Sequence, residues 1–511
     1  MSEWSSGYVA DINYTYGYYS ELNPSRLALT FLNAGLKVPD VVNACELGFG
    51  QGLSANIHAS ASAVQWYGTD FNPSQAFFAQ ELAHASGNGA KLFDEAFADF
   101  SNRNDLPDFD YIALHGIWSW ISDENRSVII DFVRRKLKVG GVLYISYNTL
   151  PGWSIFAPMR HLMTEHAEVL SAEGKGIISR IDGAIDFAEK LLALNPLFNR
   201  ANPLVSDRLK KMKEHSRHYL AHEYFNRDWH PMYFSDMAAL LEPAKLQYAC
   251  SAHLLDTIDT INLTAEQQAF LNEIPDPVFK ESVRDYMVNQ QFRRDYWVKG
   301  ARRLSQLEYA EAIRSVSVML IAHHKDVTLK VNGSLGEANM SEAVYNPIIE
   351  HLSDYKHKTI GQIEQAVKPK NIGFAQIMQA MLILSGKGYI AAVQPNDVIM
   401  KAKKSTDRLN TYIIRKARGS SDIVYLASPV TGGGVNVGRF AQLFILAMQQ
   451  GKKQPEEWAQ FVLQILTAQG QKIVKEGKTL ETSEENMSEL VTQAQNFAEK
   501  QLPVLKALMI A

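Results

Sequence analysis
The run Cys45–Ser54, CELGFGQGLS, sets a carboxylate, Glu46, ahead of three glycines at alternate positions, Gly48, Gly50 and Gly52. Glycines so spaced let a ligand approach the backbone where a strand turns into a helix. The dinucleotide fingerprint G-x-G-x-x-G fails, because Leu53 stands at its third glycine position, and the lysine of a phosphate-binding loop is missing. A carboxylate beside a helix N-terminus repels a pyrophosphate and attracts an amine. Acids recur at the ends of later apolar runs: VQWYGTD closes on Asp70, and KLFDEAFADF carries Asp99 at its end. An acid after a second strand holds a ribose diol by two hydrogen bonds. Glu46 facing an ammonium, Asp70 a ribose and Asp99 an adenine amino group describe a ligand with an amino acid head and an adenosine but no phosphate. S-adenosylmethionine (SAM) is that ligand, with S-adenosylhomocysteine as the product.

Aromatic residues gather where a sulfonium cation would lie, and aromatic faces attract such cations. Phe71 and Phe100 adjoin two of the acids and are placed to stack on the adenine. YTYGYYSELNP holds Tyr14, Tyr16, Tyr18 and Tyr19, HGIWSW holds His115, Trp118 and Trp120, and YISYNTLPGW holds Tyr147, Asn148 and Trp153. Tyr14, Tyr19 and His115 are assigned to the cofactor, and Tyr16, Trp118, Tyr147 and Asn148 to the transfer step. There hydroxyls and the Asn148 side-chain oxygen would orient an amine lone pair, since displacement at a sulfonium needs positioning more than a strong base. Each aromatic also has a plainer reading as core packing.

The elements that must position these residues alternate as a parallel sheet requires. The strands are VVNAC, VQWYGTD, KLFDEAFADF, FDYIALHG and VGGVLYISYNT, and between them run helices such as LSANIHASA and PSQAFFAQELAHAS. Ligands of open α/β sheets bind at the C-terminal strand edge, where Glu46, Asp70, Asp99 and His115 all fall.

E-x-G-x-G-x-G resembles motif I of the class I SAM-dependent methyltransferases. HGIWSW, YISYNTLPGW and HEYFNRDWHPMYFSDMAALLEPAKLQY look like the members of that class with a methyltransferase regulatory domain, which include the rickettsial outer-membrane-protein lysine methyltransferases. The resemblance implies a SAM-binding Rossmann-like core, a middle domain and a C-terminal domain bearing a winged helix, with protein lysine as one substrate class. Such a sheet has two further strands. MYFSDMAALLEPAKLQYACSA reads as the helix and sixth strand and FRRDYWVKG as the seventh, leaving 154–230 as a helical insertion above the strand edges. The expected division is a core over 1–153, insertion and middle domain over 154–305, and a winged-helix-like α+β domain over 306–511.

Composition narrows the alternatives. The 511 residues, 46% hydrophobic with formal net charge -4, suit a packed, multi-domain protein with no global basic field for nucleic acid. Cys45 and Cys250 are its two cysteines, and no run of 18 apolar residues or leader pattern occurs, which reads as cytoplasmic with no membrane partner. His215, His218 and His222 fall at i, i+3 and i+7 ahead of Glu223, a spacing that can hold a metal, but methyl transfer needs none and no metal is expected. TIGQIEQAVKPKNIGFAQIMQAMLILSGKGYIAAV reads as a winged helix for protein contact, and the basic run KAKKSTDRLNTYIIRKARG as a solvated face. Because every donor motif precedes it, this last third is expected to be dispensable for donor binding in a truncation ending near Lys325. The leading expectation is a SAM-dependent methyltransferase acting on a protein lysine. The alternatives are a small-molecule methyltransferase and a silent SAM-binding scaffold whose winged helix holds a partner. Oligomeric state is open, a homodimer being one option.

Overall fold
A computed structural model describes residues 15–170 and 176–511. After α1 (Leu27–Asn33), the strands β1 (Asn43–Leu47), β2 (Gln65–Thr69), β3 (Lys91–Phe93), β4 (Phe109–Leu114) and β5 (Leu137–Asn148) alternate with the helices α2 (Leu53–Ala61), α3 (Pro73–Ser86), α4 (Phe97–Ser101) and α5 (Asp123–Lys136). Local signals start these helices: Asn72 accepts from the Ser74 amide ahead of α3, with Pro73 at its first position, and Ser122 accepts from the Asn125 amide ahead of α5.

With β6 (Leu246–Ser251) and β7 (Phe292–Lys299) the sheet has seven strands in the order β3-β2-β1-β4-β5-β7-β6. The first five are parallel, and β7 runs antiparallel to both β5 and β6, so the two late strands close the sheet as expected. One strand is shorter than the sequence implies. β3 stops at Phe93, three residues of irregular chain follow, and Asp99 is carried onto α4.

Between β5 and β6 lie α6 (Leu150–Trp153), α7 (Ala157–Val169), α8 (Ile177–Ala193), α9 (Leu197–Ala201), α10 (Leu204–Lys213), α11 (Arg217–Tyr224) and α12 (Phe234–Leu241). The first six form an insertion with a core of their own, including Phe156, Met163, Ile181, Leu209 and Leu220. Between β6 and β7 come α13 (Asp259–Asn262), α14 (Ala265–Asn272) and α15 (Pro277–Met287). A buried guanidinium, Arg293 of β7, ties α15 to the sheet through Asp285 at 2.5 Å, Glu281 at 2.8 Å and Asp295 at 2.9 Å.

The last third holds α16 (Gln306–Ser315), β8 (Ser317–Leu320), a hairpin of β9 (Lys330–Gly333) and β10 (Gly336–Asn339), α17 (Glu342–Leu352), β11 (Lys358–Thr359), α18 (Ile360–Val367), α19 (Phe374–Gly386) and β12 (Ile390–Ala392). The helix, turn, helix, strand order read from the sequence is present, but β12 pairs with β8, which also pairs with β11. After β12 the chain runs directly into α20 (Asn396–Lys416), the basic run, and only then into a hairpin of β13 (Tyr425–Ser428) and β14 (Gly433–Asn436). The core around α20 and the helices 439–507 includes Leu53 and Ile57 of α2 and Leu82 of α3. A second core, around β8 and α19, takes in Leu29 and Leu32 of α1. Among the described residues no helix is long and apolar enough to cross a membrane.

Candidate active site
The C-terminal ends of β1, β2 and β4 open into a cavity of about 480 Å³, faced from the opposite side by α11 with the residues after it and by the run from Thr15 to Tyr19. Glu46 ends its strand at the floor, 3% exposed, and its Oε2 accepts no hydrogen bond among the described residues. Burial first, and then the neighbouring Asp70, push its carboxyl up to about 8. Asp70 follows β2 and is also buried, which raises it to about 6 against the pull of the Asn72 and Gly50 amides. Those amides donate to it at 3.0 and 2.8 Å, using one lone pair of each oxygen and leaving acceptor capacity for a ligand. A buried carboxyl with no donor is costly, and a cationic donor entering the cavity removes that cost.

The glycines divide the work of the turn. A methyl group on Gly48, at φ 72°, would stand 2.5 Å from Ile117 Cδ1, and one on Gly52, at φ 65°, would stand 2.4 Å from Ala79 Cβ. These two permit close packing, whereas Gly50 faces open space as far as Gln75 Oε1 at 4.0 Å.

His115 follows β4 in the same cavity. Tyr19 stacks on its ring at 3.7 Å between centroids, and its Nδ1 shares a hydrogen bond of 2.7 Å with the Tyr144 hydroxyl. Burial pulls the imidazole down to about 4, so it is neutral at physiological pH and a weak base. Phe71 also lines the cavity. The lining carries six acidic side chains (Glu46, Asp70, Glu95, Glu124, Glu223 and Asp228) against one guanidinium, Arg227, a balance that favours cationic ligands even with Glu46 protonated.

The structure thus brings together Glu46, Gly48, Gly50, Asp70, Phe71, His115 and Tyr19, with Gly52 beneath them at the start of α2. Other residues assigned from the sequence lie elsewhere. Tyr14 is outside the described residues. Asp99 is exposed on α4, and the strand-end position belongs to Glu95, because β3 ends early. Phe100 is 1% exposed and packs on Phe93 and Phe132 in the core.

The residues assigned to the transfer step also move away. Tyr147, fully buried, donates its hydroxyl to Asp295 at 2.9 Å. The backbone of Asn148 is bonded to Ser119 Oγ and to the Met232 amide, and its side chain is 4% exposed and outside the lining. Trp118 is fully buried with its indole N–H toward Met232 Sδ at 3.4 Å. Tyr16 packs edge-on against Phe78 at 5.1 Å, on the side of α20.

In place of Trp118, Trp120 lines the cavity and donates to the Glu223 carbonyl at 3.3 Å, fastening the insertion to the sheet. Both tryptophans belong to one 3-10 turn, Trp118–Trp120, and its phase is set by packing rather than by a repeating pattern. Glu223 and Asp228 lie in HEYFNRDWHPMYF, a stretch to which the sequence assigns no site residue. His222 lines the cavity, whereas His215 and His218 are exposed, so the three histidines do not share a site.

The family described as "Predicted methyltransferase regulatory domain" matches residues 216–299, which supply α11, β6 and β7. Uncharacterized protein sll1526 of Synechocystis sp. is 43% identical over 513 residues, covering 99% of this chain and 100% of that protein. Uncharacterized protein RP789 of Rickettsia prowazekii is 25% identical over 285 residues, 54% of this chain and 49% of that one. The structure of PKMT2 from Rickettsia typhi in complex with AdoHcy covers 98% of this chain and 100% of its own, with a TM-score of 0.70 at 17% identity, a likeness of fold.

Proposed function
The chain belongs to the class I SAM-dependent methyltransferases that carry a methyltransferase regulatory domain, and on that premise we propose that it methylates the side-chain nitrogen of lysine in a protein. The observation that carries the reading is the buried Glu46 oxygen without a donor, at the floor of a cavity whose lining is rich in carboxylates. The similar Rickettsia typhi structure holds AdoHcy, the demethylated product of SAM, which supports the same occupant here.

Glu46 receives the donor's ammonium and Asp70 its ribose hydroxyls, while Tyr19 and Phe71 offer aromatic faces. When bound, SAM supplies a methyl group already activated by its positive sulfur. Glu223 and Asp228, from α11 and the residues after it, and Glu124, in the first turn of α5, line the cavity and attract a lysine ammonium. Presenting that amine neutral at pH 7 costs about 4.6 kcal/mol. A carboxylate there can pass the proton to solvent, and the surfaces of Trp120 and Tyr19 disfavour the charged form close to the methyl. His115 serves as a neutral wall.

Incubation with methyl-labelled SAM and cell lysate tests the reading, followed by mass spectrometry of the labelled product. Label on a lysine nitrogen of a macromolecule is the expected result. Label confined to small metabolites, or a methyl on oxygen, carbon or sulfur, would sink the lysine assignment.

A further inference from the structure
We propose that the C-terminal third of the chain sets the affinity of the donor cavity through Tyr18, a positioning residue outside that cavity; the proposal rests on the donor reading above. From Thr15 to Tyr19 the chain is a strap without regular secondary structure, turned at Tyr16 where the Gly17 N–H donates to the Thr15 carbonyl at 3.0 Å, and its residues face two sides in alternation. Thr15, Gly17 and Tyr19 line the cavity. Tyr16 and Tyr18 turn the other way, toward α20 and the β13–β14 hairpin.

The outward face is held tightly. The Tyr18 ring lies 5.1 Å from that of Tyr425 and 5.3 Å from that of His58, and its hydroxyl shares a hydrogen bond of 3.2 Å with His58 Nε2. Gly433 and Gly434 of the hairpin make room for it. A methyl on Gly433 would stand 2.5 Å from the Tyr18 hydroxyl, and one on Gly434 would stand 3.0 Å from three atoms of its ring. Farther along, the Asn23 amide nitrogen donates to the Thr431 carbonyl at 3.2 Å.

The inward face is held as tightly. The Tyr19 backbone N–H donates to Ser54 Oγ of α2 at 3.0 Å, and its ring lies on His115. Tyr18 and Tyr19 are consecutive, so displacing one from the hairpin tilts the other off His115 and opens the cavity wall. Donor binding and docking of the C-terminal third are then reciprocal, each strengthening the other.

Gly434→Ala tests this from the far side, because it adds a methyl to the hairpin and touches nothing in the cavity. Gly438→Ala is its control, since a methyl there meets no atom within 4 Å. SAM titration calorimetry is read beside amide hydrogen exchange at Tyr19 in the ligand-free protein. Gly434→Ala is expected to weaken SAM binding by about tenfold and to speed exchange at Tyr19, with Gly438→Ala matching the parent in both. In a Tyr19→Ala background, Gly434→Ala should change affinity little, because its route to the cavity is gone. Should Gly434→Ala fail to fold, Tyr18→Ala is read in the same two measurements with the same expectation. A folded Gly434→Ala or Tyr18→Ala protein with parental affinity and exchange overturns the proposal alone. A parent protein that does not bind SAM overturns the donor reading and the proposal with it.

Discussion
Glu46 answers two opposed demands. In the ligand-free protein its carboxyl keeps a proton up to about 8, whereas an unfolded chain loses it near the ordinary glutamate value of about 4.3. Between those values the native state binds more protons than the unfolded one, so the contribution of Glu46 to stability falls as pH rises, by about 1.4 kcal/mol per unit at most. Glu46→Gln removes that dependence. In denaturant melts it should be more stable than the parent, with a gap that widens from roughly pH 5 to pH 8. The same variant should bind SAM about ten- to a hundredfold more weakly, the loss of a charge-assisted hydrogen bond. At pH 7 the parent should release protons on binding, seen as buffer-dependent heats, and the variant should not. A variant that binds normally would remove Glu46 from the site.

Among the elements, β5 and β7 decide what Tyr147 does. Their register sets Tyr147 opposite Arg293, beside the carboxylates that neutralise that guanidinium, and the hydroxyl bonds to Asp295. Tyr147→Phe should therefore lower stability by about 1–3 kcal/mol and leave turnover and SAM affinity near parental values. Trp120→Phe makes the opposite pair: it keeps a ring at the cavity wall but loses the bond to the Glu223 carbonyl. It should reduce turnover by a few-fold with little change in melting temperature. If Tyr147→Phe slows transfer while the fold stays intact, Tyr147 belongs in the mechanism after all.

At the scale of the whole molecule, the sheet and the last third share a core. α20 lies across α2 and α3; Lys416 reaches Glu81 at 3.6 Å, and the Tyr412 hydroxyl bonds to the same carboxylate. The basic run is therefore partly consumed by contacts inside the molecule. A truncation ending near Lys325 strips cover from Leu53, Ile57 and Leu82, each now 1% exposed or less. Uncovering an apolar surface of that kind is expected to give aggregated protein in size-exclusion chromatography, and a monodisperse truncation that binds SAM would show the core to be dispensable. The sequence reading of a removable C-terminal module overlooked this, because apolar residues on α2 and α3 carry no mark of which partner buries them.

What the sequence by itself determined is what depends on neighbours along the chain. α3 follows from the Asn72 cap and Pro73 at its first position, β6 and β7 from the two further runs that a five-stranded start requires, and Glu46 and Asp70 from acids at strand ends. What only the tertiary structure decided is which of two side chains a few residues apart faces the cavity. Trp120 rather than Trp118, Glu95 rather than Asp99, and Tyr19 rather than Tyr16 face the cavity. Each choice falls in a short turn or strap, too brief to have a periodicity of its own. Its phase is set by contacts with residues distant in sequence, as Gly434 sets that of Tyr18.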